Sequence, residues 1–152
     1  MTEQVKMAKG YLWNDTAEYL EEQRIHQEWA YDFNQTRPSE TAKREELLRK
    51  IFGQVGKNVF VRPPVTIARG SLVSIGDETY INSNLTIVDD YKITIGKNCL
   101  FAPNVTMSTT GHPVHPVYSV HPPQERRSAC IRVRVTASVW LYLPERHSRR
   151  AL

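Results

Sequence analysis

Residues 73–107 read VSIGDETYINSNLTIVDDYKITIGKNCLFAPNVTM. The apolar residues of this stretch keep a period of six. Ile75, Ile81, Ile87 and Ile93 fall six apart, and after a slip of two residues Ile95, Phe101 and Met107 again fall six apart. Glycine follows the isoleucine at Gly76 and Gly96, with Asp77 and Asn98 just beyond. A period of six belongs neither to a helix nor to a lone strand. It suits a coil built from short flat faces, in which each hexapeptide supplies one face and every sixth side chain points inward to stack on the coil beneath. Residues two before an anchor are also apolar or small: Val73, Thr79, Leu85, Cys99 and Val105. They fit beside the anchor inside the coil. Ile75, Ile81, Ile87, Ile95, Phe101 and Met107 are therefore expected to be buried and to point to one axis. An ordinary β-meander explains neither the two registers nor the two Ile-Gly pairs.

The 152 residues suffice for one domain with a modest core. No apolar run is long enough to span a bilayer, and the leading MTEQVKMAKG has no signal-peptide pattern. Two cysteines, Cys99 and Cys130, do not make a disulfide framework. Cys99 reads as a small inward residue, and the expected setting is reducing and cytoplasmic. The net charge of +4 is unevenly spread. Residues 1–118 carry 13 Lys and Arg against 14 Asp and Glu, whereas residues 119–152 carry seven Arg and two Glu. The basic character belongs to the tail. A nearly neutral body does not offer the basic, aromatic-interleaved surface that nucleic acid requires.

Three regions follow in order. Residues 1–57 read as a helical lead. Residues 1–10 are a short polar stretch. Asn14 or Asp15 can cap a helix beginning near Thr16, striped by Leu20, Ile25, Trp29 and Phe33 and broken at Asn34–Pro38. Ser39 can cap a second helix through about Gln54, with Leu47, Leu48, Ile51 and Phe52 on one face and Gly53 and Gly56 at its end. Two such short amphipathic helices need a partner surface, and the coil supplies one. Residues 58–118 hold the repeats and then a loop, STTGHPVHP at 108–116, that leaves the period. A loop departing from a rigid coil is a natural place for function. Residues 119–152 form an Arg-rich tail in which glycine and the period of six both vanish. One back-translation of YLPERHSRRAL (142–152), read one base later, gives IYPNVTLGEH, which has hexapeptide form. From about Pro122 the tail thus reads as a shifted frame, expected to pack poorly; the alternative is a divergent segment with strands at 131–135 and 139–143.

The segments NLTIVDDY (84–91), TIGKNCLFAPNVT (94–106), TGHPVHP (110–116) and YDFNQTRPSETAKREELL (31–48) together resemble the galactoside and maltose O-acetyltransferase family over roughly residues 5–118. The resemblance implies a mainly β fold, a left-handed parallel β-helix preceded by two α-helices. It implies acetyl-CoA as co-substrate with no metal, a sugar hydroxyl as acceptor, and a homotrimer with active sites between subunits. No membrane or nucleic-acid partner is implied.

A sugar hydroxyl is a poor nucleophile at neutral pH and needs a base within hydrogen-bond reach as it attacks a thioester. Histidine titrates in the right range. By resemblance the base is His112, the first histidine of GHPVH; His115 and His121 have no such support. The family's acceptor-contacting residues match Asp15, Asn82 and Asp90, with Arg24 a further match across a one-residue length difference. Asp89 and Asp90 are adjacent carboxylates on one turn, so one of them is expected to face a cation, an amide or a ligand; a solvated turn is the alternative. Asn82 has the alternative of a left-handed corner residue. Ala68 stands where galactoside enzymes carry a serine. The matched motifs end before the turns that carry the family's CoA groove, so no CoA-binding residue is assigned. The functional expectation is an acetyl-CoA-dependent sugar O-acetyltransferase. The alternatives are a truncated, impaired member lacking the CoA site, a non-enzymatic β-helix that binds carbohydrate or protein, and a nucleic-acid binder through the tail.

Overall fold

The computed structural model describes residues 1–112 and, beyond them, the backbone of 129–130, 133–135 and 140–141. Three parallel sheets form a prism, and nine short strands between residues 54 and 108 make its three full coils. One coil runs through β1 (Gln54–Val55), β2 (Phe60–Val61) and β3 (Val65–Ile67). The next runs through β4 (Val73–Ile75), β5 (Tyr80–Ile81) and β6 (Leu85–Val88). The third runs through β7 (Ile93–Ile95), β8 (Leu100–Phe101) and β9 (Thr106–Ser108). Gln54 lies opposite Ser74 and Ser74 opposite Thr94, so one coil takes twenty residues. The same offset pairs Phe60 with Tyr80 and Leu100, and Ile67 with Ile87 and Met107.

Three hexapeptides account for eighteen of the twenty, and the slip of two accounts for the rest. Ile95 is therefore the partner of Ile75, whereas Ile93 is the partner of Val73. The six residues expected on the axis are all buried. Stacked inward side chains give each coil its hydrophobic stabilisation, roughly 1.5–3 kcal/mol for each large aliphatic group. The corners need left-handed backbone at fixed places. Asn58, Glu78 and Asn98 have positive φ and stand twenty apart, as do Asn84 and Asn104. Asn takes this conformation more readily than most residues, and the Asn84 amide also ties its corner to the next coil, donating to Asn104 Oδ1 at 2.6 Å. A Cβ on Gly76 would lie 2.6 Å from the backbone of Gly96 in the coil beyond, so the close approach of coils selects glycine there.

Three helices precede the coil, rather than the two expected. α1 spans Glu3–Lys9 in the stretch read as a polar lead. Thr2 caps it and Gly10, at φ 72°, ends it in left-handed conformation. α2 spans Ala17–Asn34 and α3 spans Thr41–Ile51. Thr16, not Asn14 or Asp15, caps α2, accepting the Tyr19 N–H at 3.2 Å. α3 begins after Glu40, whose carboxylate accepts the Arg37 N–H at 2.6 Å, and ends at Ile51, short of Gln54. α2 and α3 close the prism's first coil. Phe33, Ile51 and Phe52 join the same core as the stacked isoleucines. Asn34 takes both polar groups of Val65, accepting its N–H and donating to its C=O at 2.8 Å each. The edge strand β3 is thereby satisfied.

After β9 the chain forms an antiparallel pair, β10 (Thr110–Gly111) with β11 (Ala129–Cys130). It then rejoins the stack. β12 (Val133–Val135) pairs parallel with β7, and β13 (Trp140–Leu141) with β8. The stack thus continues past β9 at these two strands. They fall inside the ranges 131–135 and 139–143, and each pairs with the coil beneath it. The remaining residues of 113–152, on which the reading of a shifted frame also bears, lie outside the described residues.

Ile81 has no exposed surface and sits between Val61 and Phe101. Ile81→Ala is expected to cost about 2–5 kcal/mol in chemical denaturation, as for other buried aliphatic truncations. Thr66→Ala, on the outer face of β3, is expected to change stability by less than about 0.5 kcal/mol. Equal effects of the two would contradict an inward stack.

Candidate active site

The two residues by which a coil exceeds three hexapeptides are placed at one edge of the prism, after the third strand. In successive coils this edge holds Arg69–Gly70, Asp89–Asp90 and Thr109–Thr110, each twenty residues from the last. Asp89 has no exposed surface. Its carboxylate accepts the backbone N–H of Arg69 at 2.9 Å and of Gly70 at 2.6 Å. Thr109, equally buried, donates to the Val88 carbonyl and accepts the Tyr91 N–H, both at 3.0 Å. Gly70 has φ 80°, and a Cβ there would lie 2.3 Å from the Ile51 carbonyl oxygen. The edge is thus tied coil to coil by side chains aimed at backbone. Asp89 answers the question posed by the doubled carboxylate: it faces amides. Asp90 is left for other work.

Asp90 is buried, and its Oδ1 accepts a short hydrogen bond from the Tyr19 hydroxyl on α2. Burial and this bond hold the Tyr19 phenol well above its ordinary range. The Arg69 guanidinium lies 5.1 Å from the Tyr19 ring centroid and pairs with Glu22, which also accepts from the Ser71 hydroxyl. Trp13 meets Tyr19 edge to face at 5.3 Å. Asp15 comes to the same corner. Partial desolvation and then the Asp90 charge push its carboxyl up, while His112 pulls it down. Asp90 and His112 thus both lie close enough to Asp15 for their charges to act on it. His112 follows β10 at the point where the chain leaves the coil, and its side chain is exposed.

The other two matched positions stand apart from this group. Asn82 follows β5; its Oδ1 accepts the Ser83 N–H at 2.8 Å. Asn84, not Asn82, takes the left-handed corner conformation. Arg24 lies on the outer side of α2, where it pairs with Glu21 at 2.8 Å and is 60% exposed. No contact joins Arg24 to Asp15, Asp90 or His112 among the described residues. The guanidinium that does reach the corner belongs to Arg69. Among the described residues, no three His, Cys, Asp or Glu side chains are grouped to hold a metal ion, and no helix is long and apolar enough to cross a membrane.

Residues 6–56 match the family described as the maltose acetyltransferase hexapeptide capping motif. The chain is 51% identical over 116 residues to galactoside O-acetyltransferase of Escherichia coli, covering 76% of this chain and 56% of that relative. Against galactoside O-acetyltransferase of Lactococcus lactis the identity is 38%, over 72% of this chain and 51% of the relative. A galactoside acetyltransferase in complex with coenzyme A superposes with a TM-score of 0.79 at 43% identity, over 86% of this chain and 64% of that one. A hexapeptide-repeat acetyltransferase of Vibrio cholerae, complexed with acetyl coenzyme A, gives 0.72 at 30% identity, over 86% of this chain and 68% of that one. The chain belongs to the hexapeptide-repeat acetyltransferase family that includes the galactoside and maltose enzymes.

The prism is accordingly the left-handed parallel β-helix of that family. This hexapeptide-repeat chain spans about half the length of the curated relatives it matches. Tyr19, Arg69 and Glu22 escaped the sequence reading. Their signal was faint: Tyr19 and Glu22 are three residues apart on one helix, which places both on the face that meets the coil, and Arg69 lies two residues past the end of β3.

Burial pushes the Asp89 carboxyl up to about 6, outweighing the amide donors that pull it down. A raised folded-state value means that this group's contribution to stability is full below its unfolded value near 4 and is lost as pH rises through about 6. Asp89→Asn cannot titrate. Between pH 4 and pH 6.5 the wild type is expected to lose stability relative to Asp89→Asn in paired thermal melts. Parallel profiles would refute the assignment.

Proposed function

We propose that this chain is an acetyl-CoA-dependent O-acetyltransferase acting on a hydroxyl of a galactoside- or maltose-like sugar, with His112 as general base. The observation that supports this reading is that Asp15 feels the charges of both Asp90 and His112 at one edge of the coil, in a chain 51% identical over 116 residues to a named galactoside O-acetyltransferase. His112 takes the proton of the sugar hydroxyl as its oxygen attacks the thioester carbonyl of acetyl-CoA. The tetrahedral intermediate collapses, the C–S bond breaks, and the proton returns from His112 to the departing thiolate. No acetyl-enzyme forms. The Asp15 carboxylate stands where it meets the positive charge that His112 acquires.

Asp15, Asp90 and Asn82 bind the acceptor, each offering oxygens that fork onto neighbouring hydroxyls; Arg24 is the remaining candidate. Ala68 brings no hydroxyl to the acceptor, so maltose and galactosides both belong in the assay. The active assembly is a homotrimer. An apolar stripe supports this: Phe60, Tyr80 and Leu100 share one outer register of the β2–β5–β8 sheet, Phe60 and Tyr80 are stacked at 5.6 Å, and Phe60 and Leu100 are exposed. The reaction draws on acetyl-CoA, and the chain is assigned to the cytoplasm, where that donor is used.

A sugar-binding member that does not turn over is the second reading, favoured by the loss of the period of six and of glycine in residues 119–152. Thiol release from acetyl-CoA in the presence of acceptor separates the two. His112→Ala is expected to lower kcat by roughly 10²–10⁴, the range for a lost general base, with KM for acetyl-CoA little changed. Near-full turnover by His112→Ala would remove the base assignment. Sugar-induced thermal stabilisation without any thiol release would favour the second reading.

A further inference from the structure

Among the described residues, three buried side-chain polar atoms have no hydrogen-bond partner: Trp13 Nε1, Asn14 Oδ1 and Arg69 Nε. All three residues line one cleft of about 280 Å³, between α1, the segment entering α2, and the Arg69 corner. Buried polar groups are nearly always satisfied, and an unmade bond is costly. Three such groups, all carried by residues that line one cleft, with Trp13 only 2% exposed, leave its wall with unmade hydrogen bonds that a polar ligand could complete. We propose that this cleft is a carbohydrate subsite that holds a second, uncharged sugar unit of the acceptor, beside the unit that is acetylated. The proposal rests on the acceptor being a sugar.

The chemistry of the lining selects the ligand. Two N–H donors and one amide oxygen ask for groups that both accept and donate, which sugar hydroxyls do. Met7, Trp13 and Tyr19 supply apolar wall for the C–H face of a pyranose. The volume is small for a ligand pocket and suits one ring rather than a nucleotide. The ionised groups are largely spoken for: Glu3 pairs with Lys6 at 2.6 Å, and Glu22 pairs with Arg69. An anionic sugar would meet Glu3, Glu18 and Glu22. The cleft also adjoins the acceptor corner. The Tyr19 ring lines it while the Tyr19 hydroxyl bonds Asp90, and Asn14 and Thr16, which flank Asp15, line it too. A two-unit acceptor would cross Tyr19 from one to the other.

Isothermal titration of the full chain with glucose, maltose and glucose 6-phosphate tests this. Maltose is expected to bind at least about tenfold more tightly than glucose, and glucose 6-phosphate no more tightly than glucose. Asn14→Ala removes Oδ1 but keeps the backbone N–H that donates to Glu3 at 2.7 Å. It and Trp13→Phe should each weaken maltose about five- to tenfold, the worth of one net hydrogen bond, and leave glucose within about twofold. Thermal melts confirm that the variants fold, and Asn14→Ala carries the test if Trp13→Phe does not. Equal affinities for glucose and maltose overturn the subsite while leaving the sugar-acceptor reading intact. So do maltose affinities unchanged in the folded variants. Binding of none of these sugars, nor of a galactoside titrated beside them, overturns both. Tighter binding of glucose 6-phosphate would mark an anion site and overturn the subsite.

Discussion

Every inward side chain of this protein must stack on the one twenty residues away. That constraint fixes the rest. Val61, Ile81 and Phe101 form one column, Ile67, Ile87 and Met107 another. A coil that gained or lost one residue at an arbitrary place would turn its buried set outward. The two residues beyond three hexapeptides can therefore sit only where the backbone is free to bulge, and they recur at one edge. Hydrophobic stacking makes the prism, and the surplus at that edge widens it beside α2.

The edge would be loose without polar ties. Asp89 and Thr109 supply them, each buried and each bonded to the backbone of a neighbouring coil. Asp89 costs desolvation, which its raised titration reflects. What it gains is a fixed turn at Arg69–Gly70 and a fixed direction for its neighbour Asp90. Helix α2 completes the arrangement from outside. Because Thr16 caps the helix, the Asp15 side chain is not spent on a helix N-H and turns to the corner. Tyr19, one turn along, reaches Asp90.

The coil could be read from sequence because its signal is repetitive. Seven positions, in two runs spaced by six, report one geometric fact many times over. The slip after Ile93 was visible too, though not that it marks a widened edge, since a slip says how many residues are extra and not where the backbone stores them. Single-residue decisions were less legible. Asn14, Asp15 and Thr16 are all competent caps, and only packing against the corner decides among them. α1 has seven residues, too few for a clear periodic pattern. Arg69 and Tyr19 are fifty residues apart in sequence, and their contact exists only once α2 lies on the coil. Arg24 matched by motif, yet on the folded helix it faces Glu21.

The functional reading comes down to whether the widened edge receives the acceptor. A crystal structure of the chain with maltose or a galactoside bound measures this directly. The expected result is a sugar hydroxyl oxygen within about 2.6–3.2 Å of an imidazole nitrogen of His112, the reach of a general base, with carboxylate oxygens of Asp15 or Asp90 on adjacent hydroxyls. A sugar bound elsewhere on the prism, with His112 turned from it, would contradict the assignment.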